Sequence, residues 1–252
     1  MMFGTGRFCN GLRAPRTKAR RCEWYARRMK VLRRLRRLLG PDPNRFLRST
    51  RGVIHVGANV GQERDLYRRY DLDVLWIEPI PDVFARLATN IAGLPRQRAL
   101  ERLVTDRDDA TYEFHVANND GESSSILDLK EHRDIWPTVD FTRTITLKSS
   151  TLATLLAREN VDVARYDALV MDTQGSELLV LRGAEPVLGH FKFIKTEVPD
   201  FEAYAGCAKL EDIERFLAER GFVESSRNCF ASRSGGGNYY DVVYGKRPGA
   251  GA

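Results

Sequence analysis

Cysteine is scarce in this chain. Four of its 252 residues are Cys (Cys9, Cys22, Cys207 and Cys229), and none falls in a C-x-x-C pair. That spacing excludes a disulfide framework and a thiolate zinc site. It reads as free thiols in a reducing compartment, so a cytoplasmic location is expected. Histidine is equally sparse at four residues, and no His/Cys cluster supports zinc or iron. No metal is expected. No apolar run approaches the roughly 20 residues that cross a bilayer, and no signal-peptide core follows the first residues. No segment repeats. The chain is 42% hydrophobic and 29% charged, an ordinary balance for a soluble globular protein. Its length suits one α/β domain with an N-terminal extension.

Acid is nearly missing from the first fifty residues. They hold 15 Lys or Arg against two acids, a local charge of +13; the remainder holds 25 against 32, or −7, which restores the net +6. The basic character therefore belongs to the extension. A mildly acidic body lacks the basic face that phosphate recognition needs, so nucleic acid is not an expected partner. Residues 1–22 show no periodicity. From Trp24 to Leu39, Tyr25, Met29, Leu32, Leu35 and Leu39 share one helical face, and arginines and a lysine cover much of the rest. Gly40-Pro41 stops that helix. Three readings stay open: a helix packed on the domain, a peripheral helix on an anionic membrane surface through residues 24–39, or a targeting or nucleic-acid tail. The expected division is 1–48 for the extension and 49–248 for the domain.

The most informative stretch is Val53-Ile-His-Val-Gly-Ala-Asn-Val-Gly61. An apolar strand enters a small-residue turn, and a polar helix, Gln62 to Tyr70, leaves it, as in the first unit of a nucleotide-binding α/β fold. Gly57 and Gly61 let backbone pass close to a ligand. About 20 residues on, a second strand, Asp73 to Ile77, ends in Glu78, an acid placed to take both hydroxyls of a ribose. The spacing Gly57-x-x-x-Gly61 is not the G-x-G-x-x-G of dinucleotide sites, which weighs against a dehydrogenase. It suits a cofactor without a pyrophosphate, S-adenosyl-L-methionine.

Further strands are expected at Ala99 to Val104, Thr111 to Ala117, Thr144 to Leu147, Ala168–Met171, Phe193–Thr196, Phe222–Val223 and Tyr239–Tyr244. The second and third of these are expected to pair in an insertion near the cofactor. Helices are expected at Pro81 to Asn90, Leu152–Glu159 behind the cap Ser150/Thr151, Glu177–Leu188 and Leu210–Arg220. Ser234 to Asn238 reads as a flexible hairpin tip. Strands alternating with helices and ending in a hairpin predict a doubly wound sheet with one antiparallel strand.

The order and spacing of five segments resemble the FkbM-type methyltransferases. They are His55-Val-Gly57-Ala58-Asn59-Val-Gly61-Gln62-Glu63, Trp76-Ile77-Glu78-Pro79, Asn119-Asp-Gly-Glu-Ser-Ser-Ser125, Met171-Asp-Thr-Gln-Gly-Ser-Glu177 with Val180-Leu-Arg-Gly183, and Lys195-Thr-Glu197. The likeness covers roughly residues 51 to 246. It implies a class I, Rossmann-like sheet of seven strands in the order 3-2-1-4-5-7-6, acting mostly as an O-methyltransferase on sugars and natural products.

The resemblance also implies roles. Gly57, Ala58 and Asn59 lie under the methionine part of the cofactor, and Glu78 holds its ribose. Many relatives carry an acid where this chain has His55, so His55 is either a contact to the cofactor amino group, an orienting residue or a core histidine. Ser123, Ser124 and Ser125 belong to a loop at the cofactor or acceptor, with Asn118 and Asn119 near the adenine. Asp172 stands beside the reacting methyl unless it is a helix cap, and Glu197 faces the same cleft. The two acids are expected to raise one another's pKa; oxygen ligation of a divalent metal is the alternative. Gln174 replaces a Glu of many relatives. Glu177 is in part a first-turn acid, and Tyr204 and His132 are candidates for the acceptor pocket. The acceptor is expected to be a glycan or small molecule. A protein, nucleic-acid or lipid acceptor, or a non-catalytic scaffold, are the alternatives.

Overall fold

A computed structural model describes residues 42–247; the helix expected over 24–39 lies outside the described residues. The described chain opens with a 3-10 turn, Arg45–Ser49, which buries Phe46 and Leu47. Strand β1 (Gly52–Val56) is buried at every position. Helix α1 (Arg64–Arg69) leads to β2 (Asp73–Glu78), and α2 (Pro81–Ile91) leads to β3 (Gln97–Glu101). Pro81 stands in the first turn of α2, where a missing N–H costs no helical bond, and Val83, Leu87 and Ile91 form the buried stripe.

The single strand expected over Ala99 to Val104 is two. After Arg102 the chain leaves the main sheet, and β4 (Leu103–Val104) belongs to another. Its two consecutive side chains are both buried, in different apolar clusters, which a strand with one wet face cannot do. Strands β5 (Thr111–Ala117) and β6 (Phe141–Ser150) pair antiparallel, as expected, and complete a small sheet in the order β4-β6-β5.

Thr151 then caps α3 (Leu152–Arg158), its Oγ1 accepting the Thr154 N–H at 3.1 Å. Strand β7 (Ala168–Met171) is buried throughout. The helix expected over 177–188 breaks into α4 (Glu177–Gly183) and α5 (Glu185–Leu188), because Pro186 has no N–H to continue the ladder. Strand β8 (Phe193–Pro199), α6 (Leu210–Glu219), β9 (Phe222–Ser232) and β10 (Asn238–Lys246) follow.

The main sheet runs β3-β2-β1-β7-β8-β10-β9, with β10 antiparallel to both neighbours. Counting its own strands, this is 3-2-1-4-5-7-6, the expected doubly wound architecture. Period-two alternation sends Ile54 and Val56 to a core shared with α3 to α6, and Val53 to one shared with α1, α2 and Phe46. The carboxyl ends of β1, β2, β7 and β8 meet at one edge, where a doubly wound sheet binds ligands.

Candidate active site

The turn after β1 is shaped by a close approach. Gly57 has φ +77°, and a Cβ there would lie 1.9 Å from the carbonyl oxygen of Asp172. Gly57 lines the cavity, as expected of a ligand glycine, but what presses on it is the end of β7, fixed by the Asp172 N–H donating to Val56 O at 3.0 Å. Asn59 also adopts a left-handed φ of 43°. Its N–H donates to Glu78 Oε2 at 2.8 Å, while the Ile80 N–H donates to Glu78 Oε1 at 2.9 Å. Burial pushes the Glu78 carboxyl up to about 7 despite these two donors.

A cavity of about 510 Å³ opens over these strand ends, within the ~300–1,000 Å³ of cofactor and small-molecule sites. His55, Gly57, Ala58, Asn59, Glu78, Asn119, Ser124, Asp172, Gln174 and Glu197 all line it. Gly61, Glu177 and Tyr204 do not. A Cβ on Gly61 would meet Leu87 Cδ1 at 2.8 Å, so this glycine serves helix packing. Glu177 is buried and accepts the N–H groups of Thr173 (2.9 Å) and Gly175 (3.0 Å), pinning the turn before α4. Tyr204 is buried behind the wall and donates to Gln174 Oε1 at 2.7 Å. Gln174 in turn donates from Nε2 to Asp172 Oδ1 at 2.5 Å. The serine loop is tied internally: Ser124 Oγ accepts the Ala117 N–H at 2.9 Å, and Asn119 Nδ2 donates to Ser123 Oγ at 2.9 Å.

Asp172 and Glu197 sit side by side in register, one step past the Met171–Thr196 pair of β7 and β8. β8 runs on to Pro199, so Glu197 lies inside its strand rather than at its end. Burial raises the Asp172 carboxyl to about 7, opposed by the Gln174 hydrogen bond and reinforced by Glu177 and Glu63. Glu197 is driven well above the carboxylate range by burial, then by Asp172 and Asp241, with Lys195 opposing. Lys195 Nζ stands 3.1 Å from Asp241 Oδ1 on the neighbouring strand.

The cavity and its strand ends agree with what the whole sequence matches. Residues 55–224 match the methyltransferase FkbM domain. The chain belongs to the FkbM methyltransferase family. It is thus an S-adenosylmethionine-dependent methyltransferase by family. No curated protein matches the sequence. Similar solved structures include TrmK of M. capricolum in complex with S-adenosylhomocysteine (5% identity, 78% of this chain, 62% of that chain, TM-score 0.46). Magnesium protoporphyrin IX methyltransferase from Synechocystis PCC 6803 is another (10% identity, 92% and 86%, TM-score 0.42). A third is the ribosomal protein L11 methylase of Lactobacillus delbrueckii subsp. bulgaricus (14% identity, 78% and 70%, TM-score 0.41).

Two histidines of this FkbM domain touch the cavity. His55 Nδ1 lies 3.2 Å from Tyr67 OH and its ring stacks on Trp76 at 5.1 Å; burial lowers its pKa to about 4, so it is neutral at pH 7. His132 links Ser123 Oγ (3.2 Å) to Tyr239 OH (2.9 Å), and burial lowers it likewise to about 4. Among the lining residues that the sequence does not single out are Glu63, Trp136, Phe230 and Tyr239. Glu63 lay inside a quoted motif but reads as an ordinary first-turn acid. The three aromatics come from a loop and two late strands that local pattern does not bring together. Trp136 and Tyr239 rings meet at 5.3 Å, and Phe230 and Tyr239 at 5.8 Å.

Proposed function

We propose that this methyltransferase methylates a hydroxyl oxygen of a neutral sugar, glycan or small metabolite. The carrying observation is Asp172: a carboxyl raised to about 7, in the cavity wall, aimed by Gln174 and seated beside Glu197. At neutral pH such a group accepts a proton readily.

The residues present fit the cofactor. Glu78 spends one lone pair of each oxygen on Asn59 and Ile80, leaving one on each for the ribose diol. Ile80, Leu103 and Phe114 belong to one apolar cluster and line the cavity, a setting for the adenine. S-adenosylmethionine supplies a methyl group on a positively charged sulfur. The chain positions the acceptor oxygen, excludes water and takes the hydroxyl proton on Asp172 as that oxygen gains its methyl. Burial and the neighbouring Asp172 favour the protonated form of Glu197, which would offer a donor beside Asp172.

The wall favours a neutral acceptor. It carries Glu63, Glu78, Glu122 and Asp172 against Arg102, a balance that repels phosphate. Trp136, Phe230 and Tyr239, from a second apolar cluster, supply faces on which a ring packs. The test is calorimetric titration with S-adenosylmethionine and S-adenosylhomocysteine, then an acceptor screen with Asp172→Asn as control. Turnover on sugar hydroxyls that vanishes in the variant supports the reading. Turnover on amines, RNA or protein alone defeats it.

We further propose that the basic segment 24–39 holds the enzyme at an anionic membrane surface. The support is the +13 charge of the first fifty residues and their apolar face; no described helix is long and apolar enough to cross a membrane. Liposome co-sedimentation of the full chain and of one lacking residues 1–41 tests this, and equal partitioning onto anionic vesicles rejects it.

A further inference from the structure

We infer that Glu63 is the carboxylate that receives the α-ammonium group of the bound cofactor. The inference rests on the S-adenosylmethionine reading above and adds a contact that the sequence motifs did not assign.

An ammonium group taken into a cavity needs an opposite charge or a full set of acceptors. The lining carboxylates around the β1 turn are mostly engaged. Glu78 is held by two backbone N–H groups, Asp172 by Gln174, and Glu197 is driven toward its protonated form. His55, at the end of β1, is neutral and hydrogen-bonded to Tyr67. Glu63 remains. Its side chain makes no hydrogen bond or ion pair among the described residues, and it does not cap α1, whose start it occupies. The charged neighbours on that helix are otherwise employed: Arg64 donates to Gly61 O at 3.1 Å, and Asp65 pairs with Arg68 at 3.2 Å.

The position also fits. Glu63 lines the cavity with Gly57, Ala58 and Asp172, and also lines a small pocket of about 40 Å³ with His55 and Lys195. Its charge is felt by His55, Asp172 and Lys195, whereas Glu78 feels Asp82 and Arg86. Glu63 therefore groups with His55 and Asp172, which share the small pocket with it while Glu78 does not, and the amino-acid arm of a cofactor whose ribose Glu78 holds would extend to that side. Lys195, which also feels Glu63, makes its ion pair with Asp241 instead. With Glu63 holding the ammonium, Asp172 stays free to take the proton.

Calorimetry on the full chain with two ligands tests this. S-adenosylhomocysteine carries the ammonium; 5′-methylthioadenosine keeps the adenosine but lacks the whole amino-acid arm. Glu63→Gln is expected to weaken S-adenosylhomocysteine roughly 10- to 100-fold, the size of a lost charged hydrogen bond. It should leave 5′-methylthioadenosine within about twofold, which also shows that the variant is folded. Unchanged affinity for S-adenosylhomocysteine, or equal weakening of both ligands, overturns the assignment. Failure of wild type to bind either ligand would instead overturn the cofactor reading itself, and the assignment with it.

Discussion

Asp167 and Asp172 bracket the four residues of β7, and their carboxyls are driven in opposite directions. Burial would raise Asp167, but Arg51 donates to it from its backbone N–H (2.8 Å), Nε (2.9 Å) and Nη2 (2.8 Å), with Lys192 Nζ 3.2 Å away, and the pKa falls to about 2. Asp172 has Gln174 for a partner and no paired cation among the described residues, and rises to about 7. One end of the strand fastens the fold; the other keeps an acid that the fold would rather see neutral.

Their stability contributions therefore have opposite pH signs. The depressed Asp167 stabilises above its unfolded pKa near 4, and that stability is lost as pH falls toward 2. The raised Asp172 favours folding below about 4, and that share is lost as pH rises through 7. Asp172→Asn is expected to raise the unfolding free energy at pH 8 by about 1–2 kcal/mol while changing little at pH 4. Asp167→Asn is expected to lower it at pH 7 by about 2–3 kcal/mol, leaving two cations around a neutral group. Urea unfolding at the two pH values measures both; a less stable Asp172→Asn at pH 8 contradicts the first.

Turnover should follow the same acid. The base must be ionised, so kcat/KM is expected to fall about tenfold per pH unit below 7 and to level off above it. Gln174→Glu removes the amide donor and adds a like charge, and should move this limb to higher pH. A limb that stays in place in the variant would dissociate it from Asp172.

Gly57→Ala tests the strand contact. A Cβ at 1.9 Å from backbone, with φ +77°, should cost more than about 2 kcal/mol. Gly93→Ala, where a Cβ meets nothing within 4 Å, is expected to stay within about 0.5 kcal/mol. Equal melting temperatures for the two variants would refute the close approach.

Trp136→Ala should separate the two ends of the cavity. Acceptor KM is expected to rise roughly tenfold as an aromatic face is lost, with cofactor affinity unchanged. Weakened cofactor binding would place Trp136 on the wrong side.

The fold is legible in the sequence where burial writes a local pattern. β1, β2 and β7 are mostly apolar and buried along their length because both faces are covered, and Thr151 announces α3 by its side chain. It is not legible where structure depends on distant pairing. β9 looked two residues long and is eleven, because an edge strand with exposed Glu224, Arg227 and Asn228 shows little alternation. The departure of β4 from the main sheet at Arg102 has no marker in the chain. For the site, residues held by a turn motif, from Gly57 to Asn59, were legible. Phe230 and Tyr239 were not, since the register of β9 on β10 decides where they point.

That register has a bearing on synthesis. β10 is made after every other described strand of this sheet, yet it lies inside the sheet, between β8 and β9. Until Asn238–Lys246 leaves the ribosome, β8 presents a bare edge along Glu197 and β9 has nowhere to dock. A nascent or truncated chain ending in the hairpin tip would then be a sticky intermediate rather than a weak enzyme, and chaperone demand should peak just before β10 emerges.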